Sequence, residues 1–185
     1  IYQSDTEYRD EIYTFEKRGG HFRVTQIETL PCADCAVGGE QWEYNAAGYL
    51  IRHTDANGTV TTYKQNNRGR EISRTEAAGT PDERTIVTEW HEEFALPTKI
   101  IEPGKTTTYT YDTNGNRLSE TITDTTGVCA DGQGNGCVRT MAYTYNSQGL
   151  LVTINGPRTD VNDLTTYGYD DQGNRISITN ALNHV

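Results

Sequence analysis

The stretch Thr107-Thr108-Tyr109-Thr110-Tyr111-Asp112-Thr113-Asn114-Gly115-Asn116-Arg117-Leu118 decides how the chain is read. Tyr109 and Tyr111 stand two apart, which puts both rings on one face of a strand and Thr108 and Thr110 on the other. Asp112 can bond its own backbone two residues on, and Gly115 can take the positive φ that closes a tight turn. Past the turn, Leu118 and Ile122 share a face with Glu120 between them, flanked by Ser119, Thr121 and Thr123. Strand, turn and second strand are written in one short phrase.

The phrase recurs. Thr166-Tyr167-Gly168-Tyr169-Asp170-Asp171-Gln172-Gly173-Asn174-Arg175-Ile176 is a near copy, and Tyr143-Thr144-Tyr145-Asn146-Ser147-Gln148-Gly149 a third. Trp42-Glu43-Tyr44-Asn45-Ala46-Ala47-Gly48 and Tyr63-Lys64-Gln65-Asn66-Asn67-Arg68-Gly69 are looser. Trp90-His91-Glu92-Glu93-Phe94-Ala95-Leu96-Pro97 keeps the first aromatic and loses the glycine. Self-similarity of this kind marks a repeat architecture. Second turns join the units at Asp55-Ala56-Asn57-Gly58 and Glu102-Pro103-Gly104. The Asn57-Gly58 pair reads as a type I′ hairpin turn rather than as a glycosylation acceptor. Before Trp42, Ile12–Phe15 and Phe22–Leu30 form a further hairpin about Arg18-Gly19-Gly20.

This pattern predicts an all-β fold: an antiparallel meander of hairpins in a twisted, curved sheet of ten to twelve strands, with essentially no helix. Residues 1–185 are expected to form a single domain, with an N-terminal hairpin and cysteine loop over 1–41 and about six repeats over 42–185.

Composition bounds the function. Sixteen Lys+Arg against 26 Asp+Glu leave a formal charge of −10. That argues against nucleic acid and anionic membrane faces as partners, because both attract positive charge. Mean hydropathy is −0.75, and no apolar run is long enough for a transmembrane helix. The chain opens without Met or a signal-like segment, so it reads as a mature product or an excerpt. Leu, Ile, Val and Phe number only 32, which alone would suggest disorder. The 29 Thr, 12 Tyr and 18 Gly recurring in register point instead to ordered β-structure, in which aromatic rings do part of the burying.

Tyr-x-Tyr-Asp-x-x-Gly-Asn-Arg at Tyr109–Arg117, and the related run Tyr167–Arg175, resemble the YD repeat of bacterial Rhs (rearrangement hotspot) proteins. Trp90 with Leu96-Pro97-Thr98, and Gly156-Pro157-Arg158-Thr159-Asp160 after a repeat, carry the same resemblance over roughly residues 42–185. It implies a spiral β-sheet wound into a hollow shell, often around a C-terminal toxin exported by bacteria. It implies a structural element rather than a catalytic one, without a cofactor. The chain departs from a complete member in lacking an Asp-Pro-x-Gly-Leu type segment and a toxin, and in its inserts after Gly79 and Gly127.

The repeat-defining positions are Trp42, Tyr44, Gly48, Tyr63, Gly69, Trp90, Tyr109, Tyr111, Asp112, Gly115, Tyr143, Tyr145, Gly149, Tyr167, Tyr169, Asp170 and Gly173. Their rings are read first as a repetitive core. Lining of a shell or stacking on sugars are the other readings. Cys32–Cys35 and Cys129–Cys137 suit two local disulfides in a secreted or cell-surface protein. One zinc held by all four thiolates is the rival, although the Cys129–Cys137 spacing does not match a second zinc knuckle. His21, His53, His91 and His184 are scattered without a recurring partner, and no Gly-x-Ser-x-Gly marks a nucleophile. Glu92-Glu93 and Asp170-Asp171 lie beside or within turns, which makes them solvated turn acids rather than a glycosidase pair. The 128–137 loop lacks calcium-ligand spacing.

Three functions fit. The first is a non-catalytic segment of a secreted shell that encloses or presents a toxin, its partner being the rest of a larger chain. The second is a module binding glycans or a cell surface. The third is a self-assembling filament subunit, because further copies can pair at the sheet edges.

Overall fold

In the computed structural model the described residues are 11–29, 39–128, 137–158 and 160–184. They form fourteen strands and no helix. The strands are β1 (Glu11–Arg18), β2 (His21–Thr29), β3 (Gly39–Tyr44), β4 (Leu50–Thr54), β5 (Val60–Gln65), β6 (Glu71–Glu76) and β7 (Arg84–Trp90), then β8 (Pro97–Glu102), β9 (Lys105–Tyr111), β10 (Arg117–Asp124), β11 (Val138–Tyr145), β12 (Leu151–Asn155), β13 (Leu164–Tyr169) and β14 (Arg175–Thr179). Their order in the sheet is their order in the chain, as short connections require. The count exceeds the ten to twelve expected, because each of the six repeats supplies two full strands and the hairpin β1–β2 adds two more. Contacts gather the chain into two compact units, residues 1–86 and 87–185.

Every repeat hairpin carries the same irregularity. Where the second strand begins, the register steps past one residue: Ile51, Ile72, Thr98, Leu118, Val152 or Ile176. Such a bulge adds local right-handed twist and bends the strand start. It also aligns the degenerate repeat. Trp90 pairs with Pro97 across the bulge as Tyr111 pairs with Arg117. Trp90 therefore occupies the second aromatic position, not the first.

The two faces differ in chemistry. In the second unit, one face carries Ile100, Thr107 and Ile122 side by side, then Tyr109 opposite Glu120 and Tyr143 opposite Ile154. The other face is a field of hydroxyls: Thr110 meets Ser119 at 2.6 Å, Thr121 meets Thr140 at 2.9 Å, and Thr144 meets Thr153 at 2.6 Å. Cross-strand pairs of this type contribute about 0.2–1 kcal/mol each.

No described hydrophobic side chain is fully buried, and Thr107, at 5% exposure, is the only buried polar one. The expected repetitive core is thus replaced by half-buried rings on one face of a single layer.

Candidate functional site

Contacts between neighbouring repeats hold a repeat protein together, and in three of the motifs here the second tyrosine makes one. Bulging leaves the strand start out of reach of its outer neighbour. The β12–β13 register ends at Thr153 and Thr166, and the carbonyl of Leu151 lies beyond it. The Tyr169 hydroxyl donates to that carbonyl at 2.7 Å. In the same way Tyr145 donates to the Arg117 carbonyl at 3.0 Å and Tyr111 to the Pro97 carbonyl at 2.7 Å. Each acceptor is the first residue of the strand preceding the tyrosine's own. In the Tyr63 repeat Gln65 stands where the second tyrosine would be, and its amide donates to the Leu50 carbonyl in the equivalent place. Aspartate and glycine close the turn; tyrosine latches one repeat to the one before.

The first tyrosines sit on a charged spine. The Arg117 guanidinium lies 4.8 Å from the Tyr143 ring centre and 5.9 Å from that of Tyr109, a cation–π sandwich. Arg117 also pairs with Glu120 at 2.7 Å. Arg175 stands 6.0 Å from Tyr167, and in the first repeat it is the second aromatic that meets a cation, Arg23 lying 5.9 Å from Tyr44. In the first repeat Trp42 stacks on His53 at 5.1 Å, and His53 Nε2 meets Glu40 at 2.9 Å. Partial burial pushes the hydroxyls of Tyr63, Tyr109, Tyr111 and Tyr145 above their ordinary value.

The turns form a second line of contact. Asp112 Oδ1 accepts from the backbone N–H of Asn114 and Asn116, each at 2.8 Å, and Gly115 takes φ 85°. Asn66, Asn146 and Asp170 accept in the same two places. Asn180 repeats the device, with Asn183 at φ 61° in the glycine's position. Asp55 does so as well, and only Gly58 is left-handed there. The Asp55 turn is therefore a type I turn closed by a left-handed glycine, not the expected type I′, which would need Asn57 at positive φ too.

At three of the turns, the last residue of the preceding turn region covers the turn glycine. A Cβ on Gly69 would lie 2.5 Å from the Tyr49 ring, one on Gly115 3.6 Å from Leu96, and one on Gly173 3.4 Å from Leu150. These covering positions and the latch acceptors were invisible in the sequence, because neither is a fixed residue type. Only the recurrence of Tyr-x-Tyr hinted that the two tyrosines do different work.

The remaining candidates separate. His21 opens β2, His184 lies in the last turn, and His91 lies in the variant turn. Among the described residues, no three His, Cys, Asp or Glu side chains gather into a metal cluster. Cys32, Cys35 and Cys129 lie outside the described residues. Cys137 precedes β11, and its carbonyl accepts from the Asp124 N–H at 3.1 Å. Asp170 caps a turn, whereas Glu92 and Glu93 line a concavity with Trp90, Phe94 and Tyr111. No helix of the described residues is long and apolar enough to cross a membrane.

A single-layer meander of latched hairpins defines a β-repeat protein, and comparison places the repeat. The model of the RHS repeat matches residues 44–81 and 145–185, two stretches of the chain that carry the RHS repeat. No curated protein matches the sequence. Among solved structures, the Photorhabdus luminescens Tc holotoxin pore is similar at 17% identity and a TM-score of 0.66, over 90% of this chain and 9% of the other. The TcdB2-TccC3-Cdc42 crystal structure is similar at 14% identity and 0.62, again over 90% and 9%. A TcdB2-TccC3 crystal structure follows at 16% and 0.52, over 92% and 10%. At these identities the likeness is one of fold. The chain spans about a tenth of the length of the chains it matches.

Proposed function

We propose that this chain is a non-catalytic wall segment of a secreted bacterial Rhs-type shell that encloses or presents a toxin. The latch carries the reading: Tyr111, Tyr145 and Tyr169 each spend a hydroxyl on the neighbouring repeat rather than on a reacting group. The fold likeness to toxin-complex structures supports the same role. Its partners are further repeats of a larger chain, paired along β1 and β14, the two edges of the strand order.

Export also accounts for the cysteines as the disulfides Cys32–Cys35 and Cys129–Cys137. The second would close the 125–136 connection at its base, where Asp124 and Cys137 already meet. Intact mass without reductant should be four hydrogens lighter than the thiol form. Four free thiols or bound zinc would remove the argument for export.

The shell is tested on the full reading frame that contains this segment. Its product should image as a closed particle in which a C-terminal segment resists protease until the particle is denatured. A chain with no further repeats, running as a filament in light scattering, would replace the shell with self-assembly.

A further inference from the structure

Among the six repeat hairpins, the one closed by His91–Leu96 departs from the pattern and builds a concavity of about 490 Å³. Its turn is one residue longer, with the His91 N–H donating to the Leu96 carbonyl at 2.9 Å. Histidine replaces the capping Asp or Asn: His91 Nδ1 accepts from the N–H of Glu93 at 3.2 Å and of Phe94 at 3.3 Å. Those bonds fix the ring, and the ring organises its neighbours. Phe94 stacks on His91 at 4.8 Å and 30°, and Tyr111 meets it edge-on at 6.3 Å and 89°. Tyr111 is itself held by its bond to Pro97. Trp90 completes the aromatic wall, and Glu92 and Glu93 stand at the rim.

We propose that this concavity is a binding site for an organic ammonium group, such as a quaternary ammonium or the head of a lysine side chain. This goes beyond the wall role and does not depend on it. Ring faces attract a cation through their quadrupoles, and nearby carboxylates add long-range attraction. None of the residues lining the site is Lys or Arg. A sugar would be held by ring faces too, and the Thr98 and Thr113 hydroxyls in the lining could serve one, but the negative charge of Glu92 and Glu93 favours a cation over a neutral ligand. A loop that departs from its repeat consensus on one side of the sheet is also where repeat proteins place their binding sites.

Trp90 reports binding directly once Trp42, the other tryptophan, is replaced as Trp42→Phe. At constant ionic strength, choline and tetramethylammonium should change Trp90 fluorescence saturably, and 3,3-dimethylbutanol, the neutral analogue of choline, should not. In the unmodified protein, saturation transfer to the ligand methyl groups gives the same comparison without a mutation. Phe94→Leu keeps a large apolar side chain and loses the ring, and it should weaken binding roughly fivefold or more. Glu92→Gln with Glu93→Gln should weaken the cation and leave the neutral analogue unchanged. Equal binding of the neutral analogue, an effect that never saturates, or indifference to Phe94→Leu would overturn the assignment. Saturable binding of monosaccharides in preference to the cations would replace it with a sugar site.

Discussion

The turns at Asp112–Asn116 and His91–Leu96 close successive hairpins of the second unit, and they do so with different chemistry. In the first, a carboxylate oxygen takes two backbone N–H groups at 2.8 Å, and a left-handed glycine returns the chain. In the second, a ring nitrogen takes two at 3.2 and 3.3 Å, and no residue of the turn is left-handed. The aspartate turn uses its polar atoms on itself and ends in five residues. The histidine turn runs longer and stands its rings around a hollow. A repeat can hold its consensus wherever it only has to be a wall, and abandon it at one place to make a site.

The largest effect should come from the consensus glycines, because they separate backbone strain from close approach. Gly58, Gly69 and Gly115 all have φ between 75° and 85°. An added Cβ meets nothing within 4 Å at Gly58, Leu96 at 3.6 Å at Gly115, and the Tyr49 ring at 2.5 Å at Gly69. Gly58→Ala and Gly115→Ala should each cost about 1–2 kcal/mol, the strain of a left-handed L-residue. Gly69→Ala should cost more, since the ring of the previous turn must move. Adding Tyr49→Ala should return Gly69→Ala to the level of the other two in urea titrations. Equal losses at all three positions would show that contact between turns contributes nothing.

Next come the latches. Tyr145→Phe and Tyr169→Phe remove only the hydroxyl that reaches the Arg117 or the Leu151 carbonyl, respectively, and each should cost about 1 kcal/mol. Tyr143→Phe loses only a 3.3 Å contact to Arg117 and should cost less. Gln65→Tyr restores the consensus and should hold stability or raise it. If Tyr143→Phe proved as costly as Tyr169→Phe, the two tyrosines of the motif would not have the separate roles assigned to them.

The alternation of Tyr and Thr, the Asx caps and the turn glycines could be read directly, because each acts within a few residues of itself. The strand order followed from short connections. The bulges could not be read, since the stepped-over positions include Leu118, Val152 and Thr98 and carry no glycine signature. Trp90 was misaligned for the same reason: only the paired register shows which aromatic position it fills. The ring environment escaped as well. A single layer gives the tyrosines no opposing layer, so Arg117 takes the place of a hydrophobic neighbour.

The smallest effect is one of pH, and it distinguishes the aspartate turns from all others. The Asn116 side chain donates to Asp112 Oδ2 at 2.8 Å, and Asn174 does so to Asp170 at 2.9 Å. With the backbone N–H donors, these bonds hold both carboxyls below the ordinary value of 3.8. A carboxyl whose value is lowered by folding adds stability that is full above the unfolded value and lost as pH falls through the folded one. The contribution of these two turns should therefore be constant at neutral pH and fade only below about pH 4. The turns at Asn66, Asn146 and His91 have no carboxylate cap to lose. Asp112→Asn with Asp170→Asn keeps an oxygen for the backbone donors but sets one amide N–H against that of Asn116 or Asn174. The double variant should start slightly less stable at pH 7 and lose less than the parent between pH 5 and pH 2, in urea midpoints taken across that range. Parallel curves for the two proteins would mean that the acid sensitivity lies elsewhere, for instance at Glu76, whose carboxyl is held low by Arg84.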